Sequence, residues 1–94
     1  MSPEQIIIEP VLTEKTNALR EQGQYVFRVN PRANKVQIKN AVRELFSVHP
    51  VRCNVENVKG KPKRARFHRG YTANWKKATV TLPAGESIAA FEGV

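Results

Sequence analysis

No acidic residue lies between Glu56 and Glu86, and half of the chain's cations fall inside that gap. From Lys59 to Lys77 the sequence reads KGKPKRARFHRGYTANWKK. It carries Lys59, Lys61, Lys63, Arg64, Arg66, Arg69, Lys76 and Lys77, eight of the sixteen Lys and Arg. Lys59 to Ala73 is too charged and too poor in apolar side chains to fold on its own. The core must therefore come from the segments on either side, and the basic stretch must be carried by them.

Those segments show clear periods. Ile6, Ile7, Ile8 and then Val11-Leu12 form a short apolar opening broken by Pro10, which predicts a strand, since proline is tolerated at strand edges. Thr13 is a good N-cap, and Glu14 suits the positive end of a helix running from Glu14 to Glu21 and stopping at Gly23. Gln24 to Val29 alternates, with Tyr25, Phe27 and Val29 on one face against Val26 and Arg28, and reads as a strand. Asn30-Pro31 turns the chain. Asn34 with Gln37 has the form of a capping box. Behind it Ile38, Ala41, Val42, Leu45 and Phe46 follow the spacing of a helix with one buried face, ending near Ser47. Val51, Cys53 and Val55 alternate with Arg52, Asn54 and Glu56 as a third strand leading into Val58. Lys76 to Leu82 is the last strand, with Ala78, Val80 and Leu82 inward and Pro83 and Gly85 after it. Residues 86–94 read as a short tail with one helical turn at Ser87-Ile88-Ala89-Ala90.

The predicted order is β-α-β-α-β-β. Ninety-four residues make one domain, 1–94, with the basic stretch as a loop at about 60–74 between the last two strands. Loops of that length are commonly functional.

A net charge of +8, clustered rather than spread, calls for a polyanionic partner. Membrane is disfavoured. No run approaches the roughly 18 apolar residues of a spanning helix, and Pro62 and Gly70 interrupt any amphipathic period in the basic stretch. MSPEQIIIEP has no basic region ahead of its apolar run and does not resemble a signal peptide, so a cytoplasmic location is expected. Cys53, alone, agrees with a reducing compartment and reads as a small buried hydrophobe.

An enzymatic constellation is missing. His49 and His68 are the only histidines, and Cys53 has no partner at a metal-ligand spacing, so neither a metal nor another cofactor is expected. Neither phosphate-binding glycine motif occurs, and the eight glutamates are scattered, so no small-molecule substrate is expected either. Phe67, Tyr71 and Trp75 recur at every fourth position among the cations, alongside His68. Cations attract phosphate, and flat rings stack on unpaired bases, so RNA is the expected partner. Arg69-Gly70-Tyr71 opens like the longer signature of an RNA-recognition motif. The likeness then fails, with Ala73 at an aromatic position and Lys76 at the last one.

Four blocks carry a wider resemblance: PVLTEKT from Pro10 to Thr16; Pro31 through Lys35, Ile38, Lys39, Asn40, Ala41 and Val42; Val58-Lys59-Gly60-Lys61 with Lys63-Arg64; and Asn74-Trp75-Lys76-Lys77-Ala78 with Val80 and Leu82. In order and spacing they resemble the bacterial large-subunit ribosomal proteins of the universal L23 family. The resemblance implies a small α/β sandwich (an α+β fold) with a four-stranded antiparallel sheet and helices packed on it. It implies binding to large-subunit ribosomal RNA early in assembly, beside the exit of the peptide tunnel and among neighbouring large-subunit proteins. It also implies that the loop between the last two strands reaches the tunnel wall. The family's acidic docking residue for trigger factor, close to the signal recognition particle, corresponds to Glu14. Asn74 stands where the family often has Asp, and Arg66-Phe67-His68 makes the loop more basic and aromatic than in many relatives.

Candidate RNA-binding residues follow. Lys59, Lys61, Lys63, Arg64, Arg66 and Arg69 are phosphate contacts, with Phe67, His68 and Tyr71 beside them. Lys15, Lys76 and Lys77 are further phosphate contacts, or ordinary surface charges. Trp75 either stacks on a base or sugar or covers the edge of the core. Lys35, Lys39 and Arg43, spaced by four, either line the RNA side of their helix or face water. Glu14 is a first-turn acid on local grounds alone, and a docking residue only through the resemblance. The other reading of the chain is a free-standing RNA-binding module acting in trans.

Overall fold

The computed structural model describes residues 1–58, 62–65, 68–71 and 75–88. Among the described residues, three helices and six strands follow in the order α1 (Pro3–Ile6), β1 (Ile7–Pro10), α2 (Glu14–Glu21), β2 (Gln24–Val29), α3 (Lys35–Phe46), β3 (Arg52–Val58), β4 (Pro62–Ala65), β5 (His68–Tyr71) and β6 (Trp75–Thr81). Four strands form an antiparallel sheet in the order β1-β2-β6-β3. The fold is the expected α+β sandwich.

Local chemistry explains the helices. The Asn34 side chain accepts from the Gln37 amide at 2.8 Å, and Gln37 Oε1 accepts from the Asn34 amide at 3.0 Å. This reciprocal box opens α3 as its sequence predicts. Thr13 opens α2 in the same way, but its partner is Thr16 rather than an acid or amide. At the far end of α2, Gly23 takes φ +78, and a Cβ there would sit 3.3 Å from the Leu82 carbonyl oxygen. Both facts favour glycine. The Gly23 carbonyl also accepts from the Leu82 amide at 2.9 Å, tying the turn to the end of β6.

Strand register sorts the side chains onto two faces. Tyr25 pairs with Val80 and Val80 with Cys53; Phe27 pairs with Ala78 and Ala78 with Val55. These rows face α3, whose Ile38, Ala41 and Val42 are buried against them. Phe27 stacks on Phe46 with ring centroids 5.6 Å apart. Val26 lies on the opposite face by alternation, yet it is buried and stands outside the main core cluster. Since α2 is the helix in contact with β2, it covers Val26 there. The sheet is thus covered by α1 and α3 on one face and, over β2, by α2 on the other.

Four features differ from the sequence expectation. Pro3–Ile6 forms a one-turn helix ahead of β1, burying Ile6 against the core. In β1 the register shifts between Ile7 and Glu9, so Ile7 is buried beside Val29 while Glu9, two residues on, pairs with outward-facing Arg28; Ile8 between them is exposed. The expected loop at 60–74 contains a two-stranded ladder, β4 with β5, pairing Lys63 with Gly70 and Arg64 with Arg69. Local backbone pairing needs no core, which is why composition did not disclose it. The tail is not loose at its start: Ile88 is fully buried in the core, and no helical turn forms at Ser87-Ile88. Ala89 and Ala90, and the rest of that predicted turn, lie outside the described residues.

Candidate nucleic-acid interface

The basic stretch hangs from the ends of β3 and β6, which pair over seven residues from Arg52–Thr81 to Val58–Trp75. That ladder gives the stretch a rigid base. Lys63 and Arg64 lie on β4, and His68, Arg69 and Tyr71 on β5. Lys59, Lys61, Arg66 and Phe67 fall outside the described residues, as does Asn74.

At the base of the ribbon the three successive residues Trp75, Lys76 and Lys77 have different surroundings. Trp75 and Lys77 occupy the face turned away from the core. Trp75 is half-buried there with the Arg28 guanidinium carbon 6.0 Å from its ring centroid. Its ring therefore does not cover the edge of the core. It lines a groove of about 420 Å³ with Glu9, Pro10, Leu12 and Arg28.

Register places Glu9, Arg28, Lys77 and Glu56 in one row across all four strands. Arg28 pairs with Glu9 at 3.7 Å and Lys77 with Glu56 at 3.4 Å. The row is neutral in sum, with its cations on the two inner strands and its acids on the edge strands. Lys77 thus already has a counter-charge, although exposed pairs of this kind are weak and exchangeable.

Lys76 falls on the core face, at its margin. Its Nζ donates to the Ala33 carbonyl at 2.5 Å and faces the Pro31 carbonyl at 3.4 Å. The sequence offered Lys76 as a phosphate contact or an ordinary surface charge; in the structure these carbonyls hold the ammonium, because period-2 alternation turns Lys76 toward the turn before α3. Arg28, which sequence reasoning passed over, is the cation that Trp75 meets. Its only sequence signal was its outward position on β2.

The remaining candidates divide between the two sides of the sheet. Lys15 and Glu14 are exposed on the first turn of α2. Lys35 and Arg43 are exposed and Lys39 half-buried along α3, over the other face. Helix α3 packs against edge strand β3, where Lys35 and Lys39 lower the Cys53 thiol pKa against the larger effect of burial. No single flat surface joins α2 to α3, since the sheet stands between them. Among the described residues no cluster of three or more His, Cys, Asp or Glu side chains comes together, and no helix is long and apolar enough to cross a membrane.

Residues 5–90 match the family model for ribosomal protein L23. The chain belongs to the ribosomal protein L23 family. It is 60% identical over 88 residues to a large ribosomal subunit protein uL23 of Treponema denticola, covering 94% of each chain. It is 50% identical over 93 residues to that of Thermotoga neapolitana, covering 99% of this chain and 93% of the relative. With the protein of Heliobacterium modesticaldum, identity is 47% over 93 residues, 99% of this chain and 98% of the relative. The L23 match spans the sheet, the helices and the basic ribbon together. The L23 family is structural and not enzymatic, in line with the scattered glutamates.

Proposed function

We propose that this L23 chain is a structural constituent of the large ribosomal subunit in the cytoplasm, bound to large-subunit ribosomal RNA near the exit of the peptide tunnel. The observation that carries the reading is the acid-free cationic stretch mounted on the β3–β6 ladder, in a chain whose relatives are large-subunit proteins. Lys59, Lys61, Lys63, Arg64, Arg66 and Arg69 neutralise backbone phosphates. Phe67, His68, Tyr71 and Trp75 offer stacking surfaces. Arg64 and Arg69 are paired in the β4–β5 backbone register. Lys15, Lys77 and the stripe Lys35, Lys39 and Arg43 extend the contact over the domain, while Lys76 chiefly braces the turn before α3.

Glu14, exposed on the first turn of α2, serves as docking point for trigger factor, with the signal recognition particle close by. Neighbouring large-subunit proteins complete the surroundings.

A titration of the full chain against large-subunit ribosomal RNA over a range of salt tests the RNA contact. If all eight cations of the stretch engage phosphate, log K falls with log salt at a slope of about −5 to −6, at ~0.7 per contact. A partial set gives a shallower slope, and a flat line removes the role. Co-sedimentation at one copy per large subunit, resistant to washing, separates a subunit constituent from a module acting in trans.

A further inference from the structure

The segment after β6 returns to the body and fastens one side of a basic cleft. Ile88 is fully buried in the core. Two residues earlier, the Glu86 carboxylate accepts from the His49 backbone amide at 2.6 Å and meets His49 Nδ1 at 3.1 Å. Val48, beside His49, is buried as well, so the α3–β3 connection is held at both points. The His49 side chain itself stays 79% exposed. It lines a cleft of about 240 Å³ together with Val36, Lys39, Asn40, Arg43 and Pro50.

The hydrogen-bonding capacity of this cleft is mixed in a useful way. A carboxylate accepts only, so in the tautomer that bonds Glu86 the proton sits on Nδ1 and Nε2 is left as an acceptor. Arg43 donates to Asn40 Oδ1 at 3.3 Å, which leaves the Asn40 amide nitrogen as a donor. Lys39, Arg43 and Asn40 thus supply donors for an anion, and His49 supplies an acceptor for a hydroxyl. Val36, 66% exposed, and Pro50 give apolar surface against which a sugar ring can rest. A phosphate offers only acceptors, whereas a ribose 2′-hydroxyl can donate.

We propose that this cleft binds one ribose-phosphate unit of RNA, with Lys39, Arg43 and Asn40 on the phosphate and His49, oriented by Glu86, accepting from the 2′-hydroxyl. The assignment rests on the RNA-binding reading above and adds a site that distinguishes RNA from DNA. Glu86 is a positioning residue in it, because it acts through His49.

The test uses the full chain and a large-subunit ribosomal RNA transcript, with hydroxyl-radical probing to find protected riboses. His49→Ala should weaken binding by about three- to tenfold, the worth of roughly one hydrogen bond, and lose one local patch of protection. A 2′-deoxy substitution at that patch should weaken the wild-type chain by a similar factor and leave His49→Ala unaffected. Glu86→Ala should weaken binding too, but add nothing in the His49→Ala background. A further loss in that background would mean that Glu86 acts through folding alone, and would overturn its positioning role. If the wild-type chain binds while His49→Ala retains both affinity and protection, the cleft assignment fails and the RNA-binding reading survives. If the wild-type chain does not bind the transcript at all, both fall.

Discussion

Lys76 Nζ lies 2.5 Å from the carbonyl oxygen of Ala33, a residue 43 positions earlier in the chain. The contact joins the base of the basic ribbon to the turn that opens α3. Lys77, one residue on, points to the other face and meets Glu56 at 3.4 Å in an exposed pair. Two adjacent lysines of one sequence motif thus differ in role. Lys76→Ala should lower stability by about 1.5–3 kcal/mol, as for a hydrogen bond involving a charged group. Lys77→Ala should cost about 0–1 kcal/mol. Urea unfolding of both variants measures the difference, and equal losses would contradict the structural assignment of Lys76.

Ile88 is as deeply buried as Phe27, although it stands in a segment without regular secondary structure. Ile88→Ala should destabilise by about 2–5 kcal/mol, a large share of the 5–15 kcal/mol of a typical domain. A loss of unfolding free energy in urea of less than half of that lower value would show that the strap is dispensable.

Burial pushes the Cys53 thiol above its ordinary value of 9.0, and nearby Lys35 and Lys39 pull it part of the way back. The folded chain therefore holds this proton to higher pH than the unfolded chain does. The resulting stability is complete below the unfolded pKa and declines as pH rises through the folded one. Native Cys53 should alkylate slowly at about pH 8 and rapidly once urea exposes it. Cys53→Val should flatten the loss of stability above pH 9.0. An unchanged pH profile in that variant would contradict the linkage.

Glu14 favours the N-terminus of α2 by about 0.3–1 kcal/mol, so Glu14→Ala should leave the fold intact. Ribosomes carrying that variant should assemble normally and recruit less trigger factor in a pelleting assay. Undiminished recruitment would remove the docking role.

Much of the candidate interface was legible in the sequence because charge density needs no fold to be seen. The same holds for α3: its capping box and apolar period are local, acting between residues three and four apart. Periodicity could not say which side of β6 would be covered, and that fact decides the surroundings of Trp75 and Lys76. Nor could it show a carboxylate at 86 meeting a histidine at 49, since nothing in either neighbourhood marks the pair.

By itself, then, the sequence determined the two longer helices, α2 and α3, the four main strands, the concentration of cations and, through its motif spacing, the family. Those features depend on short-range periodicity, capping chemistry and composition. Only the tertiary structure decided that Lys76 braces a turn, that Trp75 meets Arg28 away from the core, that Glu86 straps the α3–β3 connection, and that Ile88 enters the core. These depend on which chain segments meet across the sheet, a choice made by the packing of the whole core.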